Sequence, residues 1–160
     1  MASNRHLGRI IALQTLYEEE FRIECDDKSF KLKDVLERNI ARYADMVDDR
    51  TFIEKLVKGV NSKKLALDAM LQPIAPDWPI EQIARMDRIV LRIGAYELHF
   101  GTDVPPKVVI NEAVELAKAF GGENSSKFVN GVLGTLLRQQ EGEEKPVAKK
   151  EKSSKNEKTE

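Results

Sequence analysis

From Val104 to Leu137 the apolar residues fall at helical spacing on both sides of one glycine pair. Val109, Ile110, Ala113, Val114, Ala117 and Phe120 recur every three to four positions. Phe128, Val129, Val132, Leu133, Leu136 and Leu137 do the same beyond Gly121 and Gly122. Residues three and four apart share one face of an α-helix, so each run predicts an amphipathic helix with a buried stripe. Pro105 and Pro106 suit a first helical turn, where a missing N–H costs nothing. The glycines suit the left-handed residue that commonly closes a helix. Asn124, Ser125 or Ser126 is placed to cap the next one.

The same period governs the rest of the chain. Leu7, Ile10, Ile11, Leu13, Leu16, Tyr17 and Phe21 form a stripe over Asn4–Arg22, with Ser3 or Asn4 as its cap. A second helix opens at Ser29 or Lys31 and carries Val35, Leu36, Ile40 and Tyr43. Asp48 or Asp49 caps a third, through Phe52, Ile53, Leu56, Val57 and Val60. Leu65 to Leu71 continue it, with a kink expected near Gly59–Ser62. Pro73, Pro76 and Pro79 then bar further helix and mark an internal boundary. Trp78 in that stretch is expected to anchor it in the core. Pro79–Ile83 predicts a short helical turn, and Met86–Phe100 a buried helix in which Gly94 marks a close helix crossing.

No segment alternates apolar and polar residues as a strand does. The expectation is an all-α fold. Residues 1–140 form the folded part, in subdomains at about 1–72 and 79–140. Residues 141–160, nearly free of large apolar side chains, are expected to be a disordered charged tail.

The net charge is −1, so no global basic field draws the chain to nucleic acid. Any such site has to be a local patch. Cys25 is the sole cysteine, which excludes an intrachain disulfide and a cysteine zinc cluster. The N-terminal residues lack a signal-peptide core and no stretch approaches a membrane span, so a cytoplasmic protein without membrane contact is expected. His6 and His99 have no metal-ligand spacing, and the carboxylates fall at helix-surface positions. No catalytic residue, metal or cofactor is expected. Gly121–Lys127 lacks the spacing of a nucleotide-hydrolysing phosphate loop, and no strand precedes it.

Two patches nevertheless suit RNA. The turn offers close backbone approach at Gly121, N–H groups at a helix start near Asn124, a cation at Lys127 and a ring at Phe128. A plain tight turn with Phe128 in the core explains the same residues. The second patch is Arg5, His6 and Arg9 with Gln14 and Tyr17 further along one helix. Arginine neutralises phosphate, and an amide with an aromatic ring reads an unstacked base. Solvated surface residues remain the alternative there.

Four segments resemble the NusB family in order: Arg9–Tyr17 (RIIALQTLY), Leu91–Leu98 (LRIGAYEL), Val104–Gly121 (VPPKVVINEAVELAKAFG) and Lys127–Leu133 (KFVNGVL). The likeness spans roughly Asn4 to Gln140 and is looser between Cys25 and Pro79. It implies about seven helices in two subdomains. It also implies a transcription antitermination factor that binds boxA-type single-stranded RNA together with NusE, a small-subunit ribosomal protein, on the RNA polymerase elongation complex in ribosomal RNA operons. By the same resemblance Arg5, His6, Arg9, Gln14, Tyr17, Gly121, Asn124, Lys127 and Phe128 face RNA, and Asp87 faces NusE. Leu7 and Gly8 interrupt the arginine run that relatives often carry, which implies fewer phosphate contacts. The alternative is a helical protein–protein adaptor with vestigial RNA binding.

Overall fold

The computed structural model describes residues 4–101 and 103–144. Among these, the chain forms α1 (Arg5–Glu24), α2 (Leu32–Arg42), α3 (Arg50–Ser62), α4 (Lys64–Leu71), α5 (Arg85–His99), α6 (Pro106–Phe120) and α7 (Ser125–Glu144), with a short 3-10 turn at Ile80–Gln82 and no strand. The expected tail from residue 145 onward, and Ser3, lie outside the described residues.

Side-chain caps start α1 and α3. The Asn4 side chain accepts a hydrogen bond from the Leu7 N–H, and the Asp49 side chain from the Phe52 N–H. Helix α1 packs on α2, α3 and α5, while α6 and α7 pair as a hairpin against α5. One apolar cluster runs through the molecule, with Leu13, Ile53, Leu67, Leu91, Leu116 and Leu133 each nearly without solvent contact. It draws on helices from both sides of the proline stretch.

Two glycines let helices cross closely. A Cβ on Gly94 would stand 2.5 Å from Leu133 Cδ1 of α7, and one on Gly59 would stand 2.1 Å from the Tyr96 ring of α5. Residue 94 is thus the crossing its position suggested. Gly59 instead serves the α3–α5 contact. The expected kink is a full break at Lys63, whose φ of −103° and ψ of 11° separate α3 from α4.

Trp78 corrects an expectation, for it is 57% exposed. The proline stretch is anchored by Gln72. Its Nε2 donates to the carbonyls of Ala75 and Trp78, and its Oε1 accepts from the Ile80 N–H at 2.9 Å. One amide satisfies three backbone groups, so the indole is not needed inside.

A band of ion pairs ties α1, α4 and α5 together. Arg92 is bidentate to Asp68 at 2.8 and 2.9 Å and also reaches Glu20. Lys64 pairs with Glu20 at 2.7 Å, and Arg88 with Glu24 at 2.6 Å. Arg88 and Arg92 are buried, and each faces at least one carboxylate, as a buried charge requires.

Candidate nucleic-acid interface

Helix α1 runs beside α6 in the same direction. Near their starts His6 Nδ1 lies 2.8 Å from Glu112 Oε2. Further on, Gln14 and Tyr17 of α1 line a cleft of about 290 Å³ together with Met86 and Phe120. From Glu112 to Phe120 α6 advances about 12 Å. The arginine turn and the glycine turn therefore sit at opposite ends of one track rather than side by side.

Residues along the track differ in availability. Arg5 is half-buried, and its guanidinium bridges Asp103 at 3.2 Å and Asp49 at 3.5 Å while lying 4.6 Å from the Phe52 ring centroid. Arg9 is 3% exposed and bidentate to Glu97 at 2.8 and 2.9 Å. One turn beyond Arg5, it faces α5, where Glu97 occupies an otherwise apolar buried face. His6 is exposed and forms the pair with Glu112. Gln14 Oε1 is buried and has no hydrogen-bond partner among the described residues. An acceptor stripped of water and left unpaired is costly, and a base N–H is one group that satisfies it.

The Tyr17 hydroxyl accepts from Arg85 at 3.3 Å, and the Arg85 guanidinium lies 5.3 Å from the Tyr17 ring and 5.1 Å from the Phe21 ring. Arg85 pairs in turn with Glu24, which holds its side chain across α1 and further favours its charged form through the bonds to Glu24 and Tyr17. Sequence reasoning missed Arg85 and Phe120. Phe120 is 37% exposed although it ends an apolar stripe, and a large apolar residue at a helix end before a glycine turn was the signal.

Gly121 does not adopt a left-handed backbone; its φ is −89°. It is glycine because a Cβ would stand 2.5 Å from Ser125 Oγ and 2.7 Å from the Ala117 carbonyl. Ser125 is buried, and its Oγ accepts from the Gly122 N–H at 2.8 Å, which draws the turn tight. Asn124 and Lys127 stand exposed around this knot, and Phe128 is half-buried against the core.

A second cleft, of about 340 Å³, lies across the start of α5. Asp87, Trp78, Ile83, Asn124 and Phe128 line it. Asp87 Oδ1 is buried and has no hydrogen-bond partner among the described residues. The turn residues Asn124 and Phe128 thus share a surface with Asp87, while Gln14 and Tyr17 look onto the cleft next to it. Met86 belongs to one cleft and Asp87 to the other. Among the described residues no group of histidine, cysteine or carboxylate side chains is arranged to hold a metal ion, and no helix is long and apolar enough to cross a membrane.

This architecture defines a small helical binding module, with two clefts meeting at the start of one buried helix. The chain belongs to the NusB family, whose pattern it matches over residues 6–138. It is 42% identical to the transcription antitermination protein NusB of Chloroflexus aggregans, over 86% of this chain and 89% of that protein. It is 39% identical to that of Dehalococcoides mccartyi (strain ATCC BAA-2266 / KCTC 15142 / 195), over 85% and 91%. Among solved structures, T. maritima NusB superposes with a TM-score of 0.76 at 30% identity, covering 86% of this chain and 93% of that one. The fold also matches, at 23% identity and a TM-score of 0.72, a crystal structure of antitermination factors NusB and NusE in complex with double-stranded RNA, over 84% of this chain and 96% of that chain.

Proposed function

We infer that this protein is a transcription antitermination factor that binds boxA-type single-stranded RNA together with NusE and promotes read-through by RNA polymerase in ribosomal RNA operons. The observation that carries this reading is the pair of clefts at the start of α5, each lined by a residue with a buried oxygen that has no partner among the described residues, Gln14 Oε1 in one and Asp87 Oδ1 in the other. RNA lies along α1 and α6, with His6 and Arg5 at one end, Gln14 and Tyr17 at a splayed base, and Gly121, Asn124 and Lys127 at the other end. Stacked bases on aromatic rings and phosphates on cations are the terms expected of such a strand. Arg9 serves through its bond to Glu97, which fixes the α1 face toward the track. NusE covers Asp87 and its neighbours, with Phe128 at the seam between the two partners. The reading assigns binding without turnover, in the bacterial cytoplasm.

A second reading, a protein adaptor with vestigial RNA binding, is favoured by the occupied state of Arg5 and Arg9. Titration of a labelled boxA-type oligoribonucleotide at moderate salt, with and without NusE, separates the two. Binding that NusE tightens is expected. No RNA binding in either case, with NusE still bound, gives the adaptor.

A further inference from the structure

At the opposite end of α5 from Asp87 lies a third and larger cleft, of about 460 Å³, between the starts of α1 and α3 and the end of α5. That volume falls within the range of small-ligand sites. Its walls are aromatic. Phe52 stands under the Arg5 guanidinium, and Tyr96 and Phe100 pair with ring centroids 5.5 Å apart. Phe100 is 37% exposed; Tyr96 lies tilted against its ring, and Lys63 Nζ stands 5.3 Å from its centroid.

The polar groups are complementary to a particular ring edge. Arg5 Nε is buried and has no hydrogen-bond partner among the described residues. Beside it stands Asp103, whose Oδ2 takes the Arg5 bond and whose carboxyl that bond holds below the usual range, so that it is a charged acceptor. The cleft therefore sets an unpaired N–H donor next to a carboxylate, between aromatic faces. Lys55 lines the same cleft and is exposed. Asp49 takes no part in recognition, because one of its oxygens caps α3 and the other meets Arg5.

We propose that this cleft receives an unpaired guanine base, whose carbonyl oxygen accepts from Arg5 Nε, whose adjacent ring and amino N–H groups donate to Asp103, and whose phosphate reaches Lys55. Guanine places one acceptor beside two donors on a single edge. Uracil flanks its only donor with two acceptors, which face the Asp103 carboxylate unfavourably. Arg5 belongs both to this cleft and to the α1–α6 track, so the base is the next one along a strand already lying there. The proposal deepens the RNA reading and rests on it for the strand, but the cleft also admits the base of a free nucleotide.

The test uses a boxA-type oligoribonucleotide extended by one nucleotide at either end, carrying guanine, uracil or no base. Its partner arm is free GMP followed by amide chemical shifts of Phe52, Phe100 and Asp103. A guanine at one end tightens binding about tenfold over the abasic extension, as a stacked base does, and uracil gives little gain. Thr51→Trp fills the cleft from its exposed wall and Phe100→Ala removes a face. Both abolish the gain and leave the unextended strand bound as before, which also shows that the variants fold. GMP shifts at these three residues that Thr51→Trp removes support the base site by themselves. Equal affinity for guanine and abasic extensions, with no GMP shifts, overturns the proposal. So does a guanine gain that survives Thr51→Trp. If the unextended strand does not bind, the RNA track fails, and the cleft is then decided by the GMP arm alone.

Discussion

Single residues on this chain divide by whether their polar atoms are already spent. Arg9 carries the same charge as Arg5 and lies one turn away, yet Arg9 gives two donors to Glu97 while Arg5 keeps a buried Nε without a partner among the described residues. Arg9→Met should cost about 3–5 kcal/mol of stability, since it strands the Glu97 carboxylate in the core. Urea unfolding measures this, and the double variant Arg9→Met/Glu97→Leu should recover most of the loss. Phe128→Ala bears on both partners because Phe128 lines the Asp87 cleft beside the turn residue Asn124. It should weaken RNA binding by about 1–3 kcal/mol and, unlike a purely RNA-facing residue, also loosen NusE. Asp87→Lys should weaken NusE while RNA affinity in its absence is retained, by calorimetric titration of each partner. The exposed Trp78 supplies the optical signal: its emission should shift to the blue when NusE covers the cleft.

At the scale of elements, glycines and buried ions set how helices meet. Gly59→Ala forces Tyr96 off α3 and should cost about 1–3 kcal/mol, the ordinary cost of overpacking. Gly131→Ala in α7 meets no atom within 4 Å and should instead stabilise by about 0.5–1 kcal/mol, because glycine is a poor helix former. Thermal unfolding of the two variants should therefore move in opposite directions. The α1–α4–α5 ion band predicts the acid limb of stability. Burial pushes the Glu19 carboxyl up, against the Lys64 charge, so its folded form holds a proton more readily than its unfolded form. That term favours the fold as pH falls toward the ordinary carboxylate value. Burial would also raise Glu20, but the Lys64 bond and the Arg92, Lys64 and Arg88 charges outweigh it, and Glu20 ends below its ordinary value. Bonds to Arg85 and Arg88 lower Glu24 in the same way. Their contribution is complete above the ordinary glutamate value near 4.5 and is lost as pH falls through the depressed ones. Stability should thus hold to about pH 4.5 and fall steeply below it. Glu20→Gln should flatten that fall in a pH series of denaturation midpoints.

For the whole molecule, a net charge of −1 and an arginine pair largely spent on internal carboxylates leave few cations for phosphate. Arg5 and Lys127, together with His6, amount to two or three contacts. Single-strand binding should therefore lose affinity with a log–log salt slope of about −1.5 to −2, shallow for an RNA-binding protein. Lys127→Ala should lower that slope by about 0.7 across all sequences. Helical spacing and prolines made every helix but α4 legible from the chain alone, because those signals act within a few residues and need no partner; α4 was expected as a continuation of α3. The RNA-facing and NusE-facing candidates were legible only as residue types suited to their ligands and through family resemblance. The sequence by itself determined most helix boundaries, though not the break at Lys63, and which face of each helix is apolar. Tertiary structure alone decided that Arg9 is consumed by Glu97, that Gln72 rather than Trp78 anchors the proline stretch, and that Asp87 and Phe128 share one cleft. Arg9 and Glu97 lie 88 residues apart in the chain, Asp87 and Phe128 meet from different helices, and Gln72 reaches Ile80 around a proline turn; apolar periodicity carries no information about any of these.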